Sequence, residues 1–251
     1  MLSRVAVVTG ASSGIGATLA RLLAARGWHT VLIARREDRL RALASELGGE
    51  YEVCDVGDRA AVDATAARIR ERHPALSLLV NNAGIPARAG FLAADPERIV
   101  EAMRVNYLGS VWCLRAFLPA LEAARRADVV NIVSVAGTVA YAPSGPYSAT
   151  KHAQLAFSRA VAAELRPRGI RVHTILPGFV ETEGFPQAEV VRNPLLRRLV
   201  VGPELVAQRI LRAVERDRRE LHVPSWYRAA TLAQGLAPGL VARILERRPG
   251  R

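Results

Sequence analysis

Tyr147-Ser148-Ala149-Thr150-Lys151 places a phenol and an amine four positions apart, and Ser134 stands at the end of the apolar run before them. On a helix, positions i and i+4 share one face, so both groups would meet the same bound molecule. A free phenol has a pKa of about 10, too high for an efficient base near neutrality. A neighbouring cation favours the phenolate, which would let Tyr147 take a proton from an alcohol or return one to a carbonyl. Lys151 is also the only lysine among 35 basic residues, the others being arginines. The bias towards arginine thus spared one position where a compact, tunable ammonium differs chemically from a guanidinium.

A second signal is Thr9-Gly10-Ala11-Ser12-Ser13-Gly14-Ile15-Gly16, directly after an apolar run and directly before a helical pattern. Glycines there let the backbone turn tightly and approach a diphosphate, and the following helix offers free N–H groups and the positive end of its dipole. Many strand-to-helix turns use glycine for geometry alone, so the cluster gains meaning from its context. Three residues rather than one separate its first two glycines. That Thr-Gly-x-x-x-Gly-x-Gly form resembles the short-chain dehydrogenase/reductase family, and further motifs carry the same resemblance. Asn81-Asn82-Ala83-Gly84 ends a fourth apolar run, Asp55 follows a third, and Pro177-Gly178-Phe179-Val180-Glu181-Thr182 follows a sixth.

The resemblance covers residues 5–223 and implies a set of roles. Gly10, Ser12, Ser13, Gly14, Ile15 and Gly16 would cradle the cofactor's phosphates. Asp55, Val56, Asn82, Ala83 and Gly84 would lie beside its adenosine. Pro177, Gly178, Val180 and Thr182 would border the nicotinamide, with Thr182 a partner for the carboxamide. Ser134 would hydrogen-bond the substrate oxygen, Lys151 would also hold the nicotinamide ribose, and Asn106 would position a water in the proton relay. Ala136, Tyr141, Phe179 and Phe185 fall in segments that line the family's pocket and would make it apolar, with ordinary packing as the alternative. Hydride moves between nicotinamide and a substrate carbon, so no metal is required.

At the end of a second strand, an acidic residue would accept hydrogen bonds from a ribose 2′-OH, whereas arginine accommodates a 2′-phosphate. This chain reads Ile33-Ala34-Arg35-Arg36 with no acid before Glu37. NADP(H) is therefore expected over NAD(H), with Arg35 the first choice for the phosphate contact, Arg36 the second, and Ser12 able to add a hydroxyl.

These groups need a frame. Short β-branched runs alternate with longer Ala-, Leu- and Arg-rich helical patterns, the signature of βαβ units and a parallel sheet with helices on both faces. Strands are expected over residues 5–9, 30–33, 50–54, 78–81, 128–134, 170–176 and 220–223, and helices over 15–26, 37–47, 58–73, 96–124, 147–166 and 203–216. With the resemblance, this is an α/β fold: a single-domain, Rossmann-type doubly wound parallel sheet of seven strands spanning residues 1–251. Residues 179–200, with Pro186 and Pro194, are expected to form a substrate lid. Residues 225–251 are expected to form an apolar helical tail broken near Pro238-Gly239, which must bury its apolar face against something.

The 251 residues are 50% hydrophobic and 23% charged, a balance that permits one large core and argues against a disordered or fibrous chain. The formal charge is +12, and residues 197–251 hold 12 arginines against five acids. That excess could attract an anionic membrane surface or an acidic carrier protein, but solvated amphipathic helices or a dimer contact are the favoured reading. No nucleic-acid partner is expected. Cys54 and Cys113 suggest neither a disulfide framework nor a zinc cluster, which points to a reducing, cytoplasmic setting. His29, His73, His152, His173 and His222 show no ligand spacing and are read as surface or packing residues. The expected function is an NADP(H)-dependent oxidoreductase acting on a secondary alcohol or its carbonyl. By analogy with the family, a homodimer or homotetramer would pair helices 96–124 and 147–166. A regulatory protein of the same fold with little turnover is the rival, and the intact Ser134, Tyr147, Lys151 and Asn106 argue against it.

Overall fold

Val5–Thr9 is apolar except for its last residue and is buried along its whole length, as a strand covered on both faces must be. In the computed structural model, which describes residues 4–140, 142–185 and 197–246, this is β1 at the centre of a seven-stranded sheet. The other strands are β2 (His29–Ala34), β3 (Glu50–Val53), β4 (Leu78–Asn81), β5 (Ala127–Ile132), β6 (Ile170–Pro177) and β7 (Glu220–Val223). All pairings are parallel and the order is β3-β2-β1-β4-β5-β6-β7. The order reverses direction between β1 and β4, and a crevice opens there at the carboxyl ends of the strands.

Alternate residues of each strand feed two cores. Ala6 and Val8 join Leu32 and Val80 under α1 (Gly14–Ala24), α2 (Glu37–Leu47) and α7 (Pro203–Glu215). Val5 and Val7 join Val31 and Leu79 under α3 (Arg59–Arg72), α5 (Gly109–Ala123) and α6 (Gly145–Leu165). Leu19, Leu23 and Leu121 are fully buried, and each such side chain contributes about 1.5–3 kcal/mol relative to exposure. Helix starts follow local chemistry: the Asp58 side chain accepts from the N–H groups of Ala60 and Ala61 ahead of α3, and Asp95 accepts from Glu97 N–H ahead of α4 (Pro96–Met103), where Pro96 stands in the first turn.

Three expectations change. The helix foreseen over 96–124 is α4 and α5 joined by a π-helical turn, Arg104–Leu108, that contains Asn106. A side chain there must reach a neighbouring loop, and widening the helix supplies the displacement. The fifth strand ends at Ile132, so Ser134 lies beyond it and caps a short 3₁₀ turn, Val135–Gly137, by accepting from Ala136 N–H. Cys54, expected within a strand, follows β3 as a buried residue.

The tail does break at Pro238, giving α8 (Arg228–Leu236) and α9 (Pro238–Glu246). Its apolar side chains do not find cover: Trp226, Leu232, Leu236, Leu240 and Ile244 are all at least half exposed. Tyr141 and residues 186–196, the middle of the expected lid, lie outside the described residues. Among the described residues, no helix is long and apolar enough to cross a membrane.

Candidate active site

The glycine turn lies between β1 and α1, with Gly10 at φ +65° and Gly14 at φ +55°, conformations that L side chains rarely adopt. Gly16 is required for a different reason. A Cβ there would stand 2.5 Å from both Asn82 Nδ2 and Gly10 O. Asn82 Nδ2 donates to Thr9 O at 2.9 Å and Gly10 O at 3.2 Å, while Thr9 Oγ1 accepts from Asn82 N–H and Ala83 N–H. Thr9 and Asn82 thus fasten the end of β1 to the end of β4 and fix the turn's backbone from below. Ser13 stands at the N-cap of α1 without a capping hydrogen bond from its side chain. A diphosphate fits this cradle: the glycines let it approach, and the helix start presents N–H groups and a positive dipole end.

Arg36 reaches back over the turn. Its guanidinium donates to Ser12 Oγ at 2.9 Å, Ser13 Oγ at 2.7 Å and Glu183 Oε1 at 2.8 Å. Arg35 faces the other way, 3.7 Å from Asp55 Oδ2 and 4.0 Å from Glu101. Asp55 also accepts from Gly57 N–H at 2.8 Å, which holds its loop beside the Arg35 side chain. Val56 is buried next to Gly109. Thr182 lies against Gly14 and pairs with Phe185, so the segment after β6 closes over the turn.

Tyr147 and Lys151 project from the first half of α6, and Ser134 is within hydrogen-bonding reach of the phenol. Lys151 is buried, and Nζ donates to Ile132 O at 3.0 Å and to Gln154 Oε1 at 2.7 Å. Gln154, fully buried, donates onward to Ser110 Oγ at 2.9 Å. Asn106 spends its carboxamide on structure: Oδ1 accepts from Ile85 N–H at 2.7 Å, and Nδ2 donates to Ile85 O and Thr150 Oγ1. A Cβ on Gly84 would come within 3.3 Å of Asn106 Oδ1 and 3.9 Å of Lys151 Nζ, so these three residues converge.

The electrostatics correct one expectation. Burial pushes the Tyr147 phenol up to about 12, even though the Ser134 hydrogen bond and the charge of Arg88 pull it down. Burial likewise pulls the Lys151 amine down to about 7. Burial thus works against charge on both groups, and Lys151, 5.7 Å from the phenol ring centroid, is only partly charged near neutral pH and draws the phenol towards the phenolate less than the motif alone implies.

Around this set, the Phe185 ring lies 5.6 Å from the Tyr147 ring, and Ala136 is partly exposed in the turn after Ser134. Phe179 instead packs edge-on against Tyr227 and stays 40% exposed. Gly178 has no room for a side chain because Tyr227 presses on it, and the Tyr227 hydroxyl donates to Leu199 O at 3.0 Å. Pro177 O accepts from Ser134 Oγ at 3.4 Å, and Val180 is buried in a bridge to Val201. Sequence reasoning missed Gln154 and Arg88. Gln154 had a signal, a polar residue three positions after Lys151 on the same helix face; Arg88 lies in an irregular loop and had none.

The family model described as short chain dehydrogenase matches residues 4–190. Dehydrogenase/reductase SDR family member 7B of Xenopus laevis is 34% identical over 265 residues, spanning 97% of this chain and 81% of its own. A short chain dehydrogenase/reductase from Burkholderia phymatum, solved in complex with NAD, superposes with a TM-score of 0.84 at 27% identity, over 99% of this chain and 97% of its own. An alcohol dehydrogenase from the archaeon Thermococcus sibiricus, complexed with 5-hydroxy-NADP, gives 0.77 at 29% identity, over 88% and 95%. Motif order, sheet order and relatives of nearly full length agree, and the chain belongs to the short-chain dehydrogenase family.

Proposed function

We propose that the protein is an NADP(H)-dependent oxidoreductase that interconverts a secondary alcohol and the corresponding carbonyl on an apolar substrate. The observation that carries this reading is the convergence of Ser134, Tyr147 and Lys151 at the carboxyl edge of the sheet, beside a glycine turn that Arg36 covers. In reduction, the Tyr147 hydroxyl donates its proton to the substrate oxygen while Ser134 hydrogen-bonds the same oxygen; in oxidation, the proton returns. The nicotinamide nucleotide supplies or accepts the hydride and, when oxidised, adds positive charge that favours the phenolate. Lys151, held by Ile132 O and Gln154, is the residue that would hold the ribose, and its charged form lowers the phenol's pKa. The Asn106 side chain is occupied with Ile85 and Thr150, so it would order a relay water by setting the backbone of its π-helical turn. Ala136 and Phe185 supply apolar wall beside Tyr147.

Arg35 and Arg36, with Ser12, are the proposed 2′-phosphate site. Support for NADP(H) comes from their positions after β2; the related structures contain either nucleotide. Assembly into a homodimer or homotetramer, a cytoplasmic location, and contact of the tail with an anionic lipid surface complete the reading. The test is an oxidation screen with NADPH beside NADH over apolar ketones and aldehydes, repeated with Tyr147→Phe. The variant should lose about 10²–10⁴ in kcat while binding NADPH nearly as well, as read by nucleotide fluorescence. Retained turnover would remove the proposed acid/base role.

A further inference from the structure

The sheet brings together three metal-ligating side chains that are far apart in the chain and lie on the opposite edge from the Tyr147 site. His29 opens β2, Glu50 opens β3, and His73 caps the end of α3. Nε2 of His29 lies 2.9 Å from Glu50 Oε1, and Nε2 of His73 lies 2.8 Å from the same oxygen. The three donor atoms fall within 4.8 Å of one another, and the imidazole centroids are 4.9 Å apart with the rings tilted by 42°. All three side chains are partly exposed, so an ion can enter from solvent. We propose that His29, Glu50 and His73 form a zinc-binding site that ties β2, β3 and α3 together.

Two nitrogen donors and one carboxylate oxygen suit a borderline divalent ion, whereas Mg²⁺ and Ca²⁺ require oxygen ligands. Zinc binds such atoms at about 2.0–2.2 Å, which places neighbouring ligands roughly 3.3 Å apart on a tetrahedron. The two His–Glu spacings are hydrogen-bond lengths a few tenths of an ångström shorter, and the two imidazole nitrogens lie within 4.8 Å of one another, so ring rotation about the shared carboxylate would bring the three donors to that spacing. On binding, the proton that each ring presents at Nε2 is released or moves to Nδ1, and solvent fills the remaining coordination position.

Glu50 is prepared as a ligand. Arg72 Nε donates to its other oxygen, Oε2, at 2.9 Å and fixes the carboxylate's orientation, as outer partners of metal ligands do. The positive charge of Arg72 weakens the site relative to one without it, although Arg72 shares that charge with Glu52 at 2.7 Å.

The test uses the full chain, stripped with EDTA and desalted, then titrated with ZnCl₂ by calorimetry. In parallel, Co²⁺ is added and its visible spectrum recorded. The expected result is one Zn²⁺ per chain, a Co²⁺ band of tetrahedral intensity, and a rise in Tm with added zinc. His73→Ala and the nearly isosteric Glu50→Gln should each weaken binding by about 10–100-fold or more, while NADPH binding at the distant edge stays unchanged. A Cys54→Ser/Cys113→Ser variant should retain the site. The absence of binding, or binding that survives both Glu50→Gln and His73→Ala, would overturn the proposal and leave a hydrogen-bonded cluster only.

Discussion

Lys151 Nζ donates to Gln154 Oε1 at 2.7 Å, in a region where neither side chain reaches solvent appreciably. Gln154 is held in turn by Ser110, so its carbonyl oxygen is fixed towards the amine. Burial has already lowered the Lys151 pKa to about 7, and the Gln154 and Ile132 carbonyls, which accept from its ammonium, favour its charged form. Gln154→Leu removes one of them. A hydrogen bond to a charged group is worth about 1.5–3 kcal/mol, so the amine should deprotonate roughly one to two pH units earlier. We expect the alkaline limb of kcat/KM to move to lower pH in Gln154→Leu and to higher pH in Gln154→Glu. A merely structural role would lower activity in both without moving the limb.

The same amine makes stability depend on pH. In the folded chain, Lys151 titrates at about 7, against 10.5 for an unhindered lysine, so between these values the unfolded state binds more protons than the folded one. Stability should therefore rise as pH increases from about 7 towards 10.5, the reverse of a paired lysine. The Tyr147 phenol acts oppositely at higher pH. Its folded value of about 12 exceeds the ordinary 10, so stability should fall across that interval. Urea denaturation of Lys151→Met should lose the rise, and an unchanged slope would show that the amine is not buried in solution.

Arg35 and Arg36 predict cofactor choice. Among the described residues, the carboxylate contacts of Arg35 are long, 3.7 and 4.0 Å, so it can turn to a phosphate at little cost. Arg36 is committed to Ser12, Ser13 and Glu183 around the turn itself. Arg35→Asp should weaken NADPH binding by about ten- to hundredfold and leave NADH nearly unaffected. Arg36→Ala should weaken both nucleotides, because it also loosens the serines. Equal losses for both nucleotides in Arg35→Asp would remove the NADP(H) assignment.

What the sequence disclosed and what it hid follow one physical division. The bounds of β1, α2, β4 and β7 agree with apolar periodicity because those runs end at glycine, proline or asparagine, which stop an element locally. Ser134, Tyr147, Lys151 and the glycine turn were legible because each motif is short and its chemistry lies in its own residues. Asn106 was legible as a residue, but the π-helical turn around it was not. That turn meets the demand of Ile85, 21 residues away, which helix periodicity does not record. Gln154 bonds Ser110 across 44 residues, and His29, Glu50 and His73 meet only through strand register and the end of α3. The raised phenol pKa was missed for a related reason, since burial is a property of the assembled site.

The tail yields the last prediction. Leu232 and Leu236 on α8, and Leu240 and Ile244 on α9, are each four residues apart and are 50%, 85%, 58% and 60% exposed, an apolar row on each helix that a solvated helix pair would not maintain. From residue 224 to residue 245 the chain has Arg228 and Arg243 and no acid, so this apolar row sits in a locally cationic surface. That combination matches an anionic lipid interface better than a second copy, whose approach would bring like charges together. The tail is also tied to the site, because Thr231 Oγ1 lies 2.8 Å from Thr138 Oγ1 in the segment after Ser134. The protein should sediment with vesicles containing phosphatidylglycerol and much less with phosphatidylcholine alone, and Leu236→Glu/Leu240→Glu should abolish the difference while kcat on a soluble ketone is retained. If the wild-type protein ignores both vesicles and the double variant instead shifts from dimer to monomer in light scattering, the row is a subunit interface and the lipid reading fails.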